Sequence, residues 1–242
     1  MAQVFDDFGG CVVGAVDGEG EHSGDDILYV FPDGLTALVG SFKDGVFVRG
    51  RYARLQAPLV RPARESDLEG LLSADVDFPA FALAQEIPDF VHRDVSTREM
   101  LSAQPLIPDL LELERVTVSQ SRLKEDMEGL FAKRLLRAGE LCSWYNGLRC
   151  SHEEVNERDW CLNGMTITLD NETVLDVPAE FASTDVFRAC LGHKANHRKP
   201  NNAKYDVFDH PRFGLIKAIR AVRDIAAGEE ICCDYGYEGE QE

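Results

Sequence analysis

Short hydrophobic runs separated by glycine-rich turns recur along the chain, a pattern that predicts short β-strands. In the first part, residues 27–31 (ILYVF) and 46–48 (VFV) form such runs. The stretches around Gly14 and Gly40 echo each other, since each reads as an apolar strand followed by further glycines. We therefore predict β-hairpin repeats in residues 1–54.

The pattern is interrupted in residues 55–110, which contain prolines at positions 58, 62, 79, 88, 105 and 108. Proline removes a backbone donor and breaks both helix interiors and central strands. This region is predicted to connect two parts of the chain through short elements.

Strand-like alternation returns after residue 111, in LERVTVSQS, EGLFA, MTITLD, TVLDV and FGLIKAIRA. Two short helices are predicted, over residues 152–160 and 181–192. The first is opened by Ser151 with Glu154 three residues later, which is a capping box. Many short strands with few short helices predict a mainly β fold built from several small sheets.

The net charge of the chain limits the classes of molecule that it is expected to bind. The chain has 242 residues, 44% hydrophobic and 28% charged, which is typical of a folded protein, and its formal net charge is −18. That charge repels nucleic acid and anionic membranes and favours a cationic partner. We find neither a membrane-spanning run nor the basic start of a signal peptide, and expect an intracellular protein.

Metal and nucleophile chemistry find little support in the sequence. The seven cysteines include no Cys-x-x-Cys pair, so reduced thiols are expected rather than disulfides or structural zinc. His193 and His197 have the spacing of zinc ligands on a helix, but Lys194 stands where a metalloprotease has glutamate. We therefore predict no metal site. Neither a Gly-x-Ser-x-Gly elbow nor a phosphate-binding loop occurs.

Polar aromatic residues beside glycine turns are the remaining candidates for chemistry. They lie in Trp144-Tyr145-Asn146-Gly147, Gly192-His193-Lys194-Ala195-Asn196-His197, Asn201-Asn202, Tyr205 and Asp234-Tyr235-Gly236-Tyr237. Taken one at a time, each tyrosine is more simply a rim residue whose ring packs while its hydroxyl reaches water.

Taken together and in this order, the motifs resemble the SET-domain protein lysine methyltransferases, in particular the histone lysine monomethyltransferase that carries MORN repeats. Glu128-Gly129-Leu130-Phe131, Arg158 to Gly164 and His210 to Gly214 extend the match. The resemblance implies a mainly β, SET-type fold preceded by MORN-type hairpins. It divides the chain into repeats (1–54), a pre-SET-like connecting region (55–110), a SET domain (111–237) and a tail (238–242).

The resemblance also implies roles for individual residues. S-adenosyl-L-methionine is the expected cofactor. Tyr145 would hydrogen-bond the incoming amine, Tyr235 would line the methyl-transfer channel, and Tyr205 would limit the space so that one methyl is added. The expected cofactor-binding residues are Asp126, Met127, Glu128, His193, Lys194, Asn196 and His197. Those expected along the substrate channel are Gly164, Met165 and Tyr237.

The implied substrate is a basic, lysine-containing peptide or protein such as a histone tail, which suits the negative net charge. By the same resemblance we expect a monomer in the nucleus, on chromosomes, with the cytoplasm as a second location. Direct nucleic-acid or membrane binding is not expected.

Four departures from the family pattern support an alternative. His197 is followed by Arg198-Lys199-Pro200-Asn201-Asn202 in place of the usual Ser-x-x-Pro-Asn, although the spacing to Tyr205 is kept. Met127 replaces the first glycine of a Gly-x-Gly turn, which would be strained if φ were positive there. Met165 replaces a polar amide near the channel. The sequence ends shortly after Tyr237, where the family has a segment that closes the channel. The alternative is a weak or inactive SET-like peptide-binding or scaffolding protein. A lipid anchor built from the repeats is disfavoured by the acids in residues 1–33.

Overall fold

The computed structural model describes residues 1–61, 77–91 and 105–236. Within them the fold is mainly β, as predicted. The chain divides into two compact units, Met1–Arg93 and Asp94–Glu242. Across these described ranges, no helix is long and apolar enough to cross a membrane. The predicted channel residue Tyr237 and the tail (238–242) lie outside the described residues.

The described residues of the first unit form one antiparallel sheet, in which the first six strands pair in chain order and the seventh pairs with the fifth. Its strands are β1 (Ala2–Phe5), β2 (Cys11–Gly14), β3 (Gly24–Val30), β4 (Thr36–Lys43), β5 (Val46–Leu55), β6 (Phe81–Leu83) and β7 (Phe90–Val91). The hydrophobic runs at 27–31 and 46–48 contribute to β3 and β5. Alternate residues of these strands, such as Leu28 and Val30, form the apolar core.

The glycines that mark the two echoing stretches lie where neighbouring strands come very close. Gly40 pairs with Gly50 in β5 and with Ile27 in β3. A Cβ on Gly40 would clash with the carbonyl oxygen of Arg49, and one on Gly14 would lie 2.7 Å from Cγ1 of Ile27. Close backbone approach therefore explains both glycines.

In its described residues, 105–236, the second unit forms three small sheets. Its strands are β8 (Val116–Gln120), β9 (Glu128–Ala132), β10 (Leu141–Tyr145), β11 (Leu148–Ser151), β12 (Thr166–Thr168), β13 (Thr173–Asp176), β14 (Asn196–His197), β15 (Ala203–His210), β16 (Gly214–Ala221) and β17 (Glu230–Cys233). They pair in the orders β10-β16-β15, β11-β13-β12 and β14-β17-β9-β8. A shared apolar core lies between the first and the third of these sheets and includes Leu130, Ile219 and Ile231.

Helices are short in the described part of this unit. They are α1 (Leu110–Arg115), α2 (His152–Glu157) and 3₁₀ helices at Trp160–Asn163, Ala179–Phe181 and Leu191–Lys194. The predicted capping box is confirmed: Ser151 Oγ accepts from the Glu154 amide, and the Glu154 carboxylate accepts from the Ser151 amide. The helix is shorter than predicted, ending at Glu157.

Two sequence predictions were wrong here. Residues 113–115 are not strand but the last turn of α1, which Asp109 caps by accepting from the Glu112 amide. Residues 181–192 do not form a continuous helix, because their backbone groups serve distant partners. The Leu191 amide donates to the Glu112 carboxylate, and the Phe187 carbonyl accepts from Leu106. These long-range hydrogen bonds take the place of the hydrogen bonds between successive turns that a continuous helix would form.

Candidate functional site

Three tyrosines from three separate strands or strand ends lie close together in the second unit. Tyr145 ends β10, Tyr205 lies in β15, and Tyr235 follows β17. The ring centroids of Tyr145 and Tyr205 are 6.1 Å apart, and those of Tyr205 and Tyr235 are 6.3 Å apart. The phenols thus form a continuous row, although they are up to 90 positions apart in the chain.

Tyr145 is fixed at one end of the row. Its hydroxyl donates to the carbonyl of Met165 at 2.6 Å, which links β10 to the start of β12. Gly192 lets the chain pass close by, since a Cβ there would lie 2.5 Å from the Trp144 carbonyl oxygen. Burial, followed by the proximity of Tyr235 and Asp176, raises the pKa of Tyr145 well above its ordinary value. This phenol is therefore protonated at neutral pH.

Tyr205 occupies the middle of the row and is largely enclosed. Burial is the main cause that raises its pKa well above the ordinary value, with further contributions from Cys233 and from the other two phenols. Its side chain packs against the apolar core of the second unit. A neutral, tightly packed phenol results, which acts as a wall and as an oriented dipole.

Tyr235 closes the other end of the row and is the most exposed of the three. Its hydroxyl donates to the Ala195 carbonyl at 2.6 Å, and its amide donates to Nδ1 of His197 at 3.0 Å. Because Nδ1 accepts, the neutral His197 ring carries its proton on Nε2. Parallel pairing of β14 with β17 brings these residues together and matches Asn196 with Cys232.

Asn196 is buried within a polar network. Its side-chain nitrogen donates to Ser121 Oγ (3.2 Å), the Glu128 carbonyl (3.0 Å) and Glu230 Oε1 (2.9 Å). The Glu230 carboxylate also accepts from the Ser121 hydroxyl at 2.8 Å. A Cβ on Gly129 would clash with Oε1 of this carboxylate, so a larger residue there would require the Glu230 side chain to move. With its amide nitrogen engaged, Asn196 can offer a ligand its Oδ1 and its main chain.

An ion pair lies at the turn predicted to contact the cofactor. The ammonium of Lys194, a buried side chain, pairs with the carboxylate of Glu128, which is about half exposed. The left-handed residue of the turn is Asp126, with φ of 60°, and not Met127. The strain considered for Met127 therefore does not arise, and its side chain points toward solvent, 46% exposed.

His193 lies behind Tyr145, with 6.4 Å between the ring centroids. Its two ring nitrogens face main-chain carbonyls, Nδ1 that of Cys190 at 2.7 Å and Nε2 that of Ala182 at 3.2 Å. Burial lowers the pKa of His193 to about 4, so the ring is neutral at pH 7. These contacts are those of a packing residue, while its predicted contact with a cofactor stays a prediction.

The predicted channel residues Gly164 and Met165 follow the 3₁₀ helix Trp160–Asn163. Gly164 is exposed, and the Met165 carbonyl accepts from both the Tyr145 hydroxyl and the Val177 amide. Arg158 fastens this loop, since it donates to Asp176 at 2.8 Å. The loop thus has a fixed position beside the phenol row.

Sequence reasoning missed two buried carboxylates that organise this region, Glu112 and Glu230. Glu112 accepts from Ser143, Trp144 and Leu191, and Glu230 accepts from Ser121, Arg122 and Asn196. Their partners are distant in sequence, so no local pattern separates them from the many surface acids.

Two family models match this chain. Residues 3–61 match the family described as Histone H3 K4-specific methyltransferase SET7 N-terminal, and residues 128–236 match the SET domain. Residues 128–236 thus form a SET domain. It is 38% identical over 231 residues to the histone-lysine N-methyltransferase SETD7 of Halocynthia roretzi, covering 95% of this chain. The chain spans about half the length of this relative, 56%.

The solved structures that resemble this chain have lower sequence identity. Two inhibitor-bound structures of a humanized mutant of the Chaetomium thermophilum Polycomb Repressive Complex 2 are each 24% identical to this chain. They cover 53% and 51% of this chain and 16% and 15% of their own, with TM-scores of 0.41 and 0.40.

Proposed function

We propose that this chain is a protein lysine N-methyltransferase that transfers one methyl group from S-adenosylmethionine to a lysine amine. The observation that carries the proposal is the row formed by Tyr145, Tyr205 and Tyr235, which ends beside the Asn196-His197 pair. The match of residues 128–236 to the SET domain supports the reaction class.

The chemistry requires a neutral amine in a dry, narrow space. Lysine has a pKa near 10.4, so a neutral amine at pH 7 costs about 4.6 kcal/mol. Tyr145 and Tyr205 are held protonated by burial, and their oxygens can accept a hydrogen bond from the amine while their rings exclude water. Positioning of the amine supplies much of the remaining rate.

The residues beside the row suit the amino-acid end of the cofactor. Lys194 offers a cation to its carboxylate, and Glu128 offers an anion to its ammonium group. Asn196, His197 and the main chain of 126–128 would complete the site. When bound, S-adenosylmethionine supplies an electrophilic methyl group on a sulfonium. The protein's part is to hold the lysine amine in line with that methyl.

Tyr205 is proposed to limit the product to monomethyl-lysine. Its ring is fixed between the other two phenols, 6.1 Å and 6.3 Å away, and its hydroxyl occupies space that a methylated amine would need. The proposed substrate is a basic protein segment such as a histone tail, steered by the net charge of −18. A nuclear location follows from that substrate.

Calorimetric titration with S-adenosylmethionine tests the cofactor site, and mass spectrometry of a histone H3 peptide tests the reaction. We expect saturable binding by the parent chain, and binding and transfer both lost in His197→Ala. His152→Ala is the matched control, because this ring lies on α2 and contacts the Asp170 carbonyl instead. Absence of binding at millimolar cofactor would contradict catalysis and favour the scaffolding alternative. Equal activity of His197→Ala and the parent would overturn the site assignment.

A further inference from the structure

One buried carboxylate, on α1, joins two segments that both lead into the site. Oε1 of Glu112 accepts from Ser143 Oγ at 2.5 Å, from the Trp144 amide at 3.1 Å and from the Leu191 amide at 2.9 Å. The side chain is fully buried. A single oxygen atom thus satisfies three donors from two segments of chain.

Both segments carry site residues immediately downstream. Ser143 and Trp144 precede Tyr145 at the end of β10. Leu191 opens the 3₁₀ helix that runs through Lys194. The distance between Tyr145 and the cofactor side of the site therefore depends on the position of one oxygen atom.

Burial of the Glu112 carboxylate costs free energy, which a purely structural position does not require. Burial is the main cause that raises its pKa to about 7, against the hydrogen bonds that favour its charged form. Within the described residues, Oε2 has no hydrogen-bond partner. Apolar residues usually stabilise such positions at least as well as a buried charge does. What the carboxylate adds is geometry, because only an acceptor can hold these three donors together.

We propose that Glu112 is a positioning residue for the proposed methyl transfer, which holds the strand of Tyr145 and the Leu191–Lys194 turn at the separation that the reaction needs. This inference rests on the proposed function, because it concerns the same site. It adds a residue that lies outside the matched SET segment. The hydrogen-bond partners of this residue, Ser143, Trp144 and Leu191, are not among the residues predicted to contact cofactor or substrate.

Several titratable and charged groups surround this carboxylate. Asp109 caps the same helix and is paired with His210 at 3.0 Å, and the Cys190 thiol and Arg212 lie nearby. Burial lowers the pKa of His210 and raises that of Cys190 well above its ordinary value. Both shifts move these groups away from the midpoint expected for Glu112.

The first test is a titration of the full chain followed by two-dimensional NMR of backbone amides. We expect the Trp144 and Leu191 amide resonances to shift together with a midpoint near pH 7, because both protons point at the same oxygen. The shift should be absent in Glu112→Gln and retained in Glu172→Gln, an exposed acid of the β12–β13 turn. Amides that do not titrate, or that titrate equally in Glu112→Gln, would overturn the proposed linkage.

The second test separates positioning from stability. Glu112→Leu removes the acceptor, and we expect kcat per folded molecule to fall about 10- to 100-fold, with weaker binding of S-adenosylmethionine, as small misplacements at active sites do. Glu112→Gln keeps an acceptor oxygen and should retain kcat within a few-fold. Ser143→Ala removes one of the three donors and should give a smaller loss of the same kind.

Leu111→Ala is the stability control, because Leu111 is buried on the same helix and lies next to Glu112 in sequence. It should destabilise the fold and leave kcat per folded molecule and cofactor affinity unchanged. If Glu112→Leu and Ser143→Ala behaved like Leu111→Ala, Glu112 would be merely structural. If the parent chain neither bound nor transferred methyl, the proposed function would fail while the amide titration still stood.

Discussion

The sheet of Met1–Arg93 and the three sheets of Asp94–Glu242 differ in what is buried between their strands. Buried polar side chains of the first unit are few, Gln3, His22 and Thr36 among the described residues. Every buried carboxylate, lysine and arginine of the described chain lies in the second unit. There, Asp109 pairs with His210, and Asn202 bonds both to the Glu230 carbonyl and to the Cys232 amide.

The difference shows how each unit obtains its shape. The first unit extends one antiparallel sheet by adding β1 to β6 in chain order, so apolar alternation and close-packed glycines are sufficient. The second must join small sheets across non-consecutive strands, as in β14-β17-β9-β8. Side-chain hydrogen bonds hold the small sheets together at those joints. A buried polar group destabilises the fold unless it has a hydrogen-bond partner. The candidate site lies among these joints.

The largest effect is expected on the stability of the first unit, at Gly40, where two backbone strands lie very close together. Gly40→Ala places a methyl group against the Arg49 carbonyl of the paired strand. We expect a loss of about 3 kcal/mol or more in the unfolding free energy of this unit, because backbone must move. Thermal unfolding measures it, and cofactor affinity of the second unit should persist. Gly18→Ala is the control, since open space surrounds Gly18; equal stability of both variants would contradict the close approach.

The second prediction concerns the row of phenols. Tyr235→Phe removes the hydrogen bond to the Ala195 carbonyl but keeps the ring beside His197. We expect methyl transfer to fall about 100-fold, which corresponds to about 2.7 kcal/mol of transition-state stabilisation. Single-turnover kinetics measure the loss, with unchanged thermal unfolding as the check on folding. A transfer rate equal to that of the parent would remove Tyr235 from the proposed site.

Features that depend on hydrogen bonds between residues close together in the chain could be predicted from the sequence. The capping box at Ser151 and Glu154 was predictable because both its hydrogen bonds are local. The tyrosine motifs could be assigned by resemblance, and their proximity required the structure. Residues 181–192 were misread as a helix because their pattern could not reveal that the Leu191 amide serves Glu112, far away in the chain. No local pattern in the sequence indicates that Glu112 and Glu230 are buried.

The third prediction uses pH to measure how much the buried Glu112 carboxylate lowers the unfolding free energy. Its pKa rises from 4.5 in the unfolded chain to about 7 in the folded protein. Between these values the unfolded state has released a proton that the folded state keeps, so this group lowers stability as pH rises. We expect the unfolding free energy of Glu112→Gln relative to the parent to increase on the order of 2 kcal/mol from pH 5 to pH 8. Denaturant titrations at the two pH values measure it, and a difference independent of pH would contradict the raised pKa.

The smallest effect in rate is expected from Tyr205→Phe, although its product should change. The ring stays packed against the core, so stability should hardly alter, and transfer of the first methyl should slow by a few-fold at most, less than about 1 kcal/mol. Loss of the hydroxyl opens space beside the amine and removes a hydrogen-bonding group that orients it. A second methyl can then be added. Mass spectrometry of the peptide after long incubation distinguishes the outcomes, since only monomethyl product from this variant would show that another residue limits the reaction.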